Sequence, residues 1–473
     1  MWRSQLRASS GYAIGNIARS AALIILTPYL VNALSPVEYG EWAYLEVVIV
    51  LVSMLMVAGL DVALMREYWD LEDEEKRSGL FGTMLIGVTV WGGGPAVALS
   101  IASALGLRLF LPGSMEVIPW VFMIGWVESI LAAFLALFRI REEVTSFVLL
   151  SVGRMVLFMG FAIGLIQAGY GVAGGLAGRF FATLIILIIA LVFVIRAHRI
   201  SLRPDWGILK GGFRYGLPLL PANLASYVLF ASDRYFLERL VSLDSVAVYS
   251  FAYKAATVLE TLITRPFAAD WAARRFKIAA GGNPQRQYAH VLVLYFYAAV
   301  GFGLLLLAVA PMAYRLFAPA VYWPGLRVLP LILIAYIVFG LSYPLNIGIM
   351  LKDRTRYLPI VGWIAAGACL ILNLLWIPRY QMLGAAWATL VAYAVWTLGT
   401  TWVSLRLYWV PYSLGYAGLV AAVGGVGYAI LKLIGNDTPG SASLGSTSLG
   451  LSCILLLLLA GGYFILRYVR RPG

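Results

Sequence analysis

Val172-Ala-Gly-Gly-Leu-Ala-Gly-Arg-Phe-Phe-Ala-Thr-Leu-Ile-Ile-Leu-Ile-Ile-Ala-Leu-Val-Phe-Val-Ile195 carries one charge, Arg179, in a run of otherwise apolar and small residues. A helix crosses the ~30 Å hydrocarbon of a bilayer in about 20 such residues. Inside lipid the backbone must satisfy its own hydrogen bonds, which an α-helix does. Working outward from this stretch, the same reading gives spans near 10–33, 43–65, 80–105, 118–138, 146–168 and 172–195. It continues near 216–238, 245–266, 290–314, 326–350, 357–377 and 383–405, and ends near 413–434 and 448–467. These runs are about twice the ~10 residues of a tilted barrel strand, so a membrane β-barrel is excluded. The expected fold is all-α and integral to the membrane, with about 14 transmembrane helices.

Composition agrees. The 473 residues are 62% hydrophobic and 12% charged, with a mean hydropathy of +0.88. A soluble domain has about 25% charged residues and cannot hide so large an apolar excess in a core. The net charge of +13 does not imply a nucleic-acid partner, because the basic residues sit in short inter-helix loops. With the N-terminus inside, the cytoplasmic segments hold about 24 Lys and Arg and the opposite ones about 6, the bias expected of membrane orientation. Both termini are therefore expected in the cytoplasm of a multi-pass cell-membrane protein. Cys369 and Cys453 fall in apolar stretches, so no structural disulfide is expected. No cleaved leader is expected either, since the first apolar stretch is long and carries Arg19. The acidic run Asp70-Leu-Glu-Asp-Glu-Glu75 reads as a solvated helix end beside Lys76 and Arg77.

The chain repeats itself weakly. Gly15-Asn16-Ile17-Ala18 matches Ala222-Asn223-Leu224-Ala225, Trp42-Ala43-Tyr44 matches Phe251-Ala252-Tyr253, and Gly171-Val172-Ala173 matches Gly384-Ala385-Ala386. The offsets, about 207 to 213 residues, suggest two six-helix lobes of parallel orientation. The expected division is 1–200, 201–410 and a C-terminal helix pair over 411–473.

Several motifs then resemble the Wzx-type polysaccharide and oligosaccharide flippase family of the MOP superfamily, which also holds the lipid II flippase and the multidrug extruders. They are Ser10-Gly-Tyr-Ala-Ile-Gly-Asn-Ile17, Leu34-Ser-Pro-Val-Glu-Tyr-Gly40, Gly59-Leu-Asp-Val-Ala-Leu-Met-Arg66, Asp233-Arg234 and Val248-Tyr249-Ser-Phe-Ala-Tyr253. Ala247 departs from the glycine usual in the family. The resemblance implies two helical bundles around a cavity open alternately to each side. It also implies a cargo of oligosaccharide on a polyprenyl pyrophosphate, moved from the cytoplasmic to the outer leaflet for cell-surface polysaccharide assembly.

Ionisable groups at membrane depth cost about 2.5–3.5 kcal/mol each on insertion scales, so they normally face protein or water. Arg suits a pyrophosphate because its planar fork donates paired hydrogen bonds and stays charged. The candidate cavity groups are Arg19, Arg234 and Lys254, with Asp233 and Asp61. Asp61 is also a candidate for a coupling ion, H+ or Na+, with capping or pairing to Arg66 as its plain alternative. Arg154, Arg179, Glu46, Glu128 and Glu260 form a second rank, which interhelical pairing would account for equally well. Pro28 is expected to bend the first span, Pro218 and Pro221 the seventh, and Gly92-Gly-Gly-Pro95 to interrupt the third. Trp42, Tyr44, Trp120, Trp323 and Trp409 near span ends are expected as interface anchors.

An enzyme of the same pathway is disfavoured. No Lys follows a Gly, which rules out a Walker A loop, and no HExxH or paired-Cys metal motif occurs. The two histidines, His198 and His290, stand at helix ends. No catalytic residue, cofactor or metal is expected. The expected partners are the lipid bilayer, the polyprenyl-linked glycan and a polysaccharide polymerase or export machinery, with the chain itself a monomer. A lipid II-type flippase and a small-molecule or cation antiporter stay open as alternatives.

Overall fold

Helix starts are written in capping chemistry. Ser35 closes a capping box with Glu38, its hydroxyl and backbone N–H meeting the Glu38 carboxylate at 2.7 and 2.8 Å, with Pro36 in the first turn. Asp205, Ser242 and Asn283 cap later helices in the same way, each accepting from backbone N–H groups of the first turn. The structure, a computed structural model, describes residues 25–105, 116–198, 201, 203–434 and 444–470. Among these no strand occurs. The membrane helices expose large apolar side chains such as Ile188, Phe193, Ile364 and Leu375, the lipid-facing counterpart of their hydropathy.

The chain divides into two units after Leu224. The first contains α1 (25–33), α2 (Pro36–Val57), α3 (Leu60–Glu67), α4 (Glu74–Ala104), α5 (Ile118–Ile140), α6 (Val144–Leu165), α7 (Gly171–His198) and α8 (Trp206–Gly216). Helix α5 is its centre: most of its apolar residues are buried, and it packs on α2, α3, α4, α6 and α7. Leu64, Phe81, Met84, Phe134, Phe138 and Ile186 form the core there. The short α8 is amphipathic and buries Leu209 and Gly212 against α3 and α4.

The second unit holds most of α9 (Leu220–Leu240), then α10 (Leu243–Leu259), α11 (Arg265–Ala279), α12 (Pro284–Phe317), α13 (Leu329–Leu345) and α14 (Ile347–Leu351). It ends with α15 (Tyr357–Leu407), α16 (Leu414–Leu433) and α17 (Leu444–Arg470). Helix α13 packs on both α10 and α15, while α16 and α17 pack on α12 and on each other. These last two leave most of their apolar residues exposed, so they form the periphery of the unit.

Among the described residues, ten helical segments are long and apolar enough to span. Two of them are double: Val144–Arg196 turns back at Gly169–Gly171, and Tyr357–Leu407 turns back at Gln381. Helix α9, whose charges keep its mean hydropathy low, brings the described spans to thirteen, and α1 (25–33) is the described part of the first expected span.

Three expectations change. The third span is not interrupted at Gly92-Gly-Gly-Pro95, since α4 runs through Pro95. The glycines instead make room for a neighbour: a Cβ on Gly93 would lie 3.0 Å from the Trp126 ring, and one on Gly92 3.1 Å from it. The second span does break, at Ala58 (φ 50°) and Gly59 (φ 72°), where Gly216 of α8 packs backbone to backbone. Trp42 and Tyr44 are buried rather than interfacial; Trp42 lies against Gly175 and stacks on Phe158 at 6.1 Å.

Candidate functional site

Asp233 and Arg234 sit side by side on α9, both almost fully buried at 1% and 5% exposure. Arg234 Nη1 donates to Asp233 Oδ1 at 3.2 Å and to the Phe230 carbonyl one turn back at 2.9 Å. Tyr249 Oη donates to the other carboxylate oxygen, Asp233 Oδ2, at 2.7 Å. The guanidinium lies 4.1 Å from the centre of the Tyr253 ring, with Phe230 at 5.4 Å and Tyr249 at 6.0 Å. An Arg over an aromatic face gains about 2 kcal/mol or more when desolvated, so this box is a place where a cation is stable at depth. Tyr253 Oη meets Tyr393 Oη at 3.4 Å, and Tyr336 and Phe339 of α13 extend the aromatic wall. Beside it, Asn373 Nδ2 donates to Ser232 Oγ at 3.2 Å, while the buried Asn373 Oδ1 accepts no hydrogen bond among the described residues.

Lys254 follows Tyr253 on α10 and is half-buried. Glu260 opens the π-turn between α10 and α11 and pairs with Arg265 at 3.1 Å. The second unit thus gathers Asp233 and Arg234 into one cluster, and holds Glu260 at a separate ion pair.

In the first unit the second-rank candidates converge. Glu128 of α5 receives Arg179 Nε and Nη2 as a two-pronged fork, both at 2.9 Å, and Arg154 Nη1 at 2.9 Å. Glu46 of α2 adds its charge near Arg179. Three helices, α5, α6 and α7, are clamped by this one carboxylate. Asp61 stands in the first turn of α3, where the helix dipole favours an anion. Its charged neighbour is Arg139 rather than the expected Arg66, whose guanidinium instead lies 4.4 Å from the Tyr215 ring. Arg19 lies outside the described residues.

The family model of the polysaccharide biosynthesis protein matches residues 6–269. The chain belongs to that family. Among solved structures, the lipid II flippase MurJ in an inward closed conformation superposes with a TM-score of 0.75, 11% identity, 98% of this chain covered and 100% of that one. A multidrug MATE transporter of the MOP superfamily, inward-facing, gives 0.63 at 15% identity over 84% of this chain and 98% of that one. An outward-facing MATE transporter gives 0.57 at 14% identity over 88% and 96%. No curated protein matches the sequence. The fold is therefore the one seen in the MurJ flippase and in these MATE transporters.

The family motifs have structural meanings. Leu34-Ser-Pro-Val-Glu38 is the capping box of α2, and Gly59 is the left-handed break before α3. Ala247 is fully buried inside α10, which runs through it without a break. Sequence reasoning did not single out Tyr249, Tyr253, Tyr336, Tyr393 and Asn373 as site residues. The spacing of Tyr249 and Tyr253, four apart and so on one helix face, is a local signal. Tyr336, Tyr393 and Asn373 lie on other spans and carry none.

Proposed function

We propose that the protein is an alternating-access flippase that moves a polyprenyl-pyrophosphate-linked oligosaccharide from the cytoplasmic to the outer leaflet of the cell membrane. What carries the reading is the buried Asp233–Arg234 pair set against tyrosine rings, in a chain of the polysaccharide biosynthesis family. An Arg fork is the group that suits a pyrophosphate. Arg234 uses Nη1 for its protein hydrogen bonds, and its Nε and Nη2 make none among the described residues. Aromatic faces beside a cation are what sugar rings and phosphates need together. Arg19 and Lys254 are the further cations of the proposal, with Asp61 the group for a coupling ion. The cytoplasmic placement of both termini, a monomeric state and a polymerase or export complex as partner belong to the same reading.

The test is a leaflet-accessibility assay with carrier-linked oligosaccharide in vesicles containing the protein. The intact chain is expected to flip the carrier, and Arg19→Ala and Arg234→Gln each to slow flipping at least tenfold. Unchanged rates in both variants would remove these residues from the site. No flipping of any polyprenyl-linked glycan, with export of a soluble cation instead, would replace the function by that of an antiporter.

A further inference from the structure

Helix α10, the π-turn and α11 form one helical rod of 37 residues, Leu243–Ala279. At 1.5 Å per residue it is about 55 Å long, against ~30 Å of hydrocarbon. Helix α12, with 34 residues, is about 51 Å long on the same rise. Both rods must overhang the hydrocarbon. They overhang together, because the short turn at 280–283 joins them. The overhanging end is the charged one: α11 carries Arg265, Arg274, Arg275 and Lys277 against a single Asp270.

A groove of about 320 Å³ lies within this hairpin, between the π-turn and α11 on one side and residues 291–298 of α12 on the other. Leu262, Phe267, Leu294 and Ala298 line it, and Asp270 and Arg274 stand at its mouth. Leu262 and Leu294 are exposed at 48% and 40%, so the groove opens on an apolar surface. The Asp270 and Arg274 side chains are more than 60% exposed and pair at 3.3 Å. A pair that open is worth only about 0–1 kcal/mol, so Arg274 exchanges its partner readily. The site therefore passes from an apolar slot to a guanidinium within one helical turn or two, at the depth where hydrocarbon gives way to headgroups. Its volume stands at the low end of the ~300–1,000 Å³ of small-ligand pockets, which suits one chain segment and not a glycan.

We propose that this groove holds an acyl chain of an anionic phospholipid of the surrounding bilayer, with Arg274 on its phosphate. The charge of α11 selects an anionic headgroup over a zwitterionic one, and the slot selects a lipid over a soluble anion. The proposal concerns the bilayer's own lipid and stands apart from the cargo reading.

Native mass spectrometry of the purified full chain, titrated with phosphatidylglycerol or phosphatidylcholine of matched chains, tests it. The intact protein is expected to retain phosphatidylglycerol preferentially. Arg274→Gln is expected to weaken that retention about fivefold, the worth of one cation at an anionic surface, and to leave phosphatidylcholine unchanged. Ala298→Trp, which fills the slot, is expected to abolish retention with Arg274 intact. Arg315→Gln, at the opposite end of α12, is expected to change nothing, and circular dichroism verifies folding of each variant. Equal retention of both lipids by the intact chain would overturn the proposal. So would phosphatidylglycerol retention unchanged in both groove variants, or its displacement by an equal concentration of polyprenyl monophosphate.

Discussion

Arg234 illustrates how a charge is kept at membrane depth. Its counter-ion is its sequence neighbour, and the aromatic box replaces the water it gave up. Removing one partner of a buried pair costs about 3–5 kcal/mol, because the other charge is left uncompensated, whereas removing both costs far less. Arg234→Met is therefore expected to lower the thermal midpoint of the detergent-purified protein sharply. Asp233→Asn added to it is expected to restore most of the loss; a double variant no more stable than the single would show that the pair is not the stabilising unit. Arg179 makes a different demand. Its fork delivers two parallel bonds to Glu128, which the point charge of Lys cannot reproduce. Arg179→Lys is expected to cost about 1.5–3 kcal/mol, the worth of a hydrogen bond to a charged group, read as a lower unfolding midpoint. With Glu128→Gln in place the same substitution should cost much less. The ionisable residues themselves were legible in the sequence, since charge at depth is conspicuous. Their pairing was not: Arg154 and Arg179 lie 26 and 51 residues from Glu128, and only tertiary packing brings them to one carboxylate.

At the scale of elements, hydropathy located the spans because lipid imposes one length on all of them. It was silent on backbone angles, so the break at Ala58–Gly59 and the continuity of α4 through Pro95 emerge only in the structure. The two helical corners are the most informative case. Gly171 turns the α6–α7 hairpin with φ 49°, ψ −134°, and Gln381 turns the two arms of α15 with φ 50°, ψ −126°. The same backbone state recurs 210 residues on, which sets the register three residues away from the sequence match of Gly171 with Gly384. Gly384 instead corresponds to Gly174: a Cβ on either would lie within about 3.1 Å of the backbone of the preceding arm. This conformation is open to glycine and strained for other residues, at about 1–3 kcal/mol. Gln381→Gly is therefore expected to stabilise the protein by about 1 kcal/mol or more, offset in part by the freedom glycine adds to the unfolded chain. Gly171→Gln is expected to destabilise it, because the positive φ there strains any residue but glycine. Thermal unfolding of the two variants side by side measures this, and a stability loss in both would refute the assignment of strain at Gln381.

At the scale of the whole molecule, the charge of +13 is a statement about direction. Basic loops tend to stay on the cytoplasmic side because they resist translocation, and the hairpin of α11 and α12, with Arg274, Arg275, Lys277 and Arg286, is one of those the loop charges would put there. Orientation is thus the property on which the cargo route and the lipid groove both depend, and two exposed positions at opposite ends of α12 decide it. Gly282 lies in the turn before the helix, with open space around its Cα, and Ala320 lies just after it. Cys369 is buried and Cys453 is partly so, so a background with Cys453→Ala leaves little reactive thiol of its own. In that background, Ala320→Cys is expected to react with a membrane-impermeant maleimide on intact cells or spheroplasts. Gly282→Cys is expected to react only after the membrane is permeabilised. The reverse pattern would put the basic hairpin outside, contradict the bias of about 24 against 6 Lys and Arg across the loops, and turn the proposed flipping direction around with it.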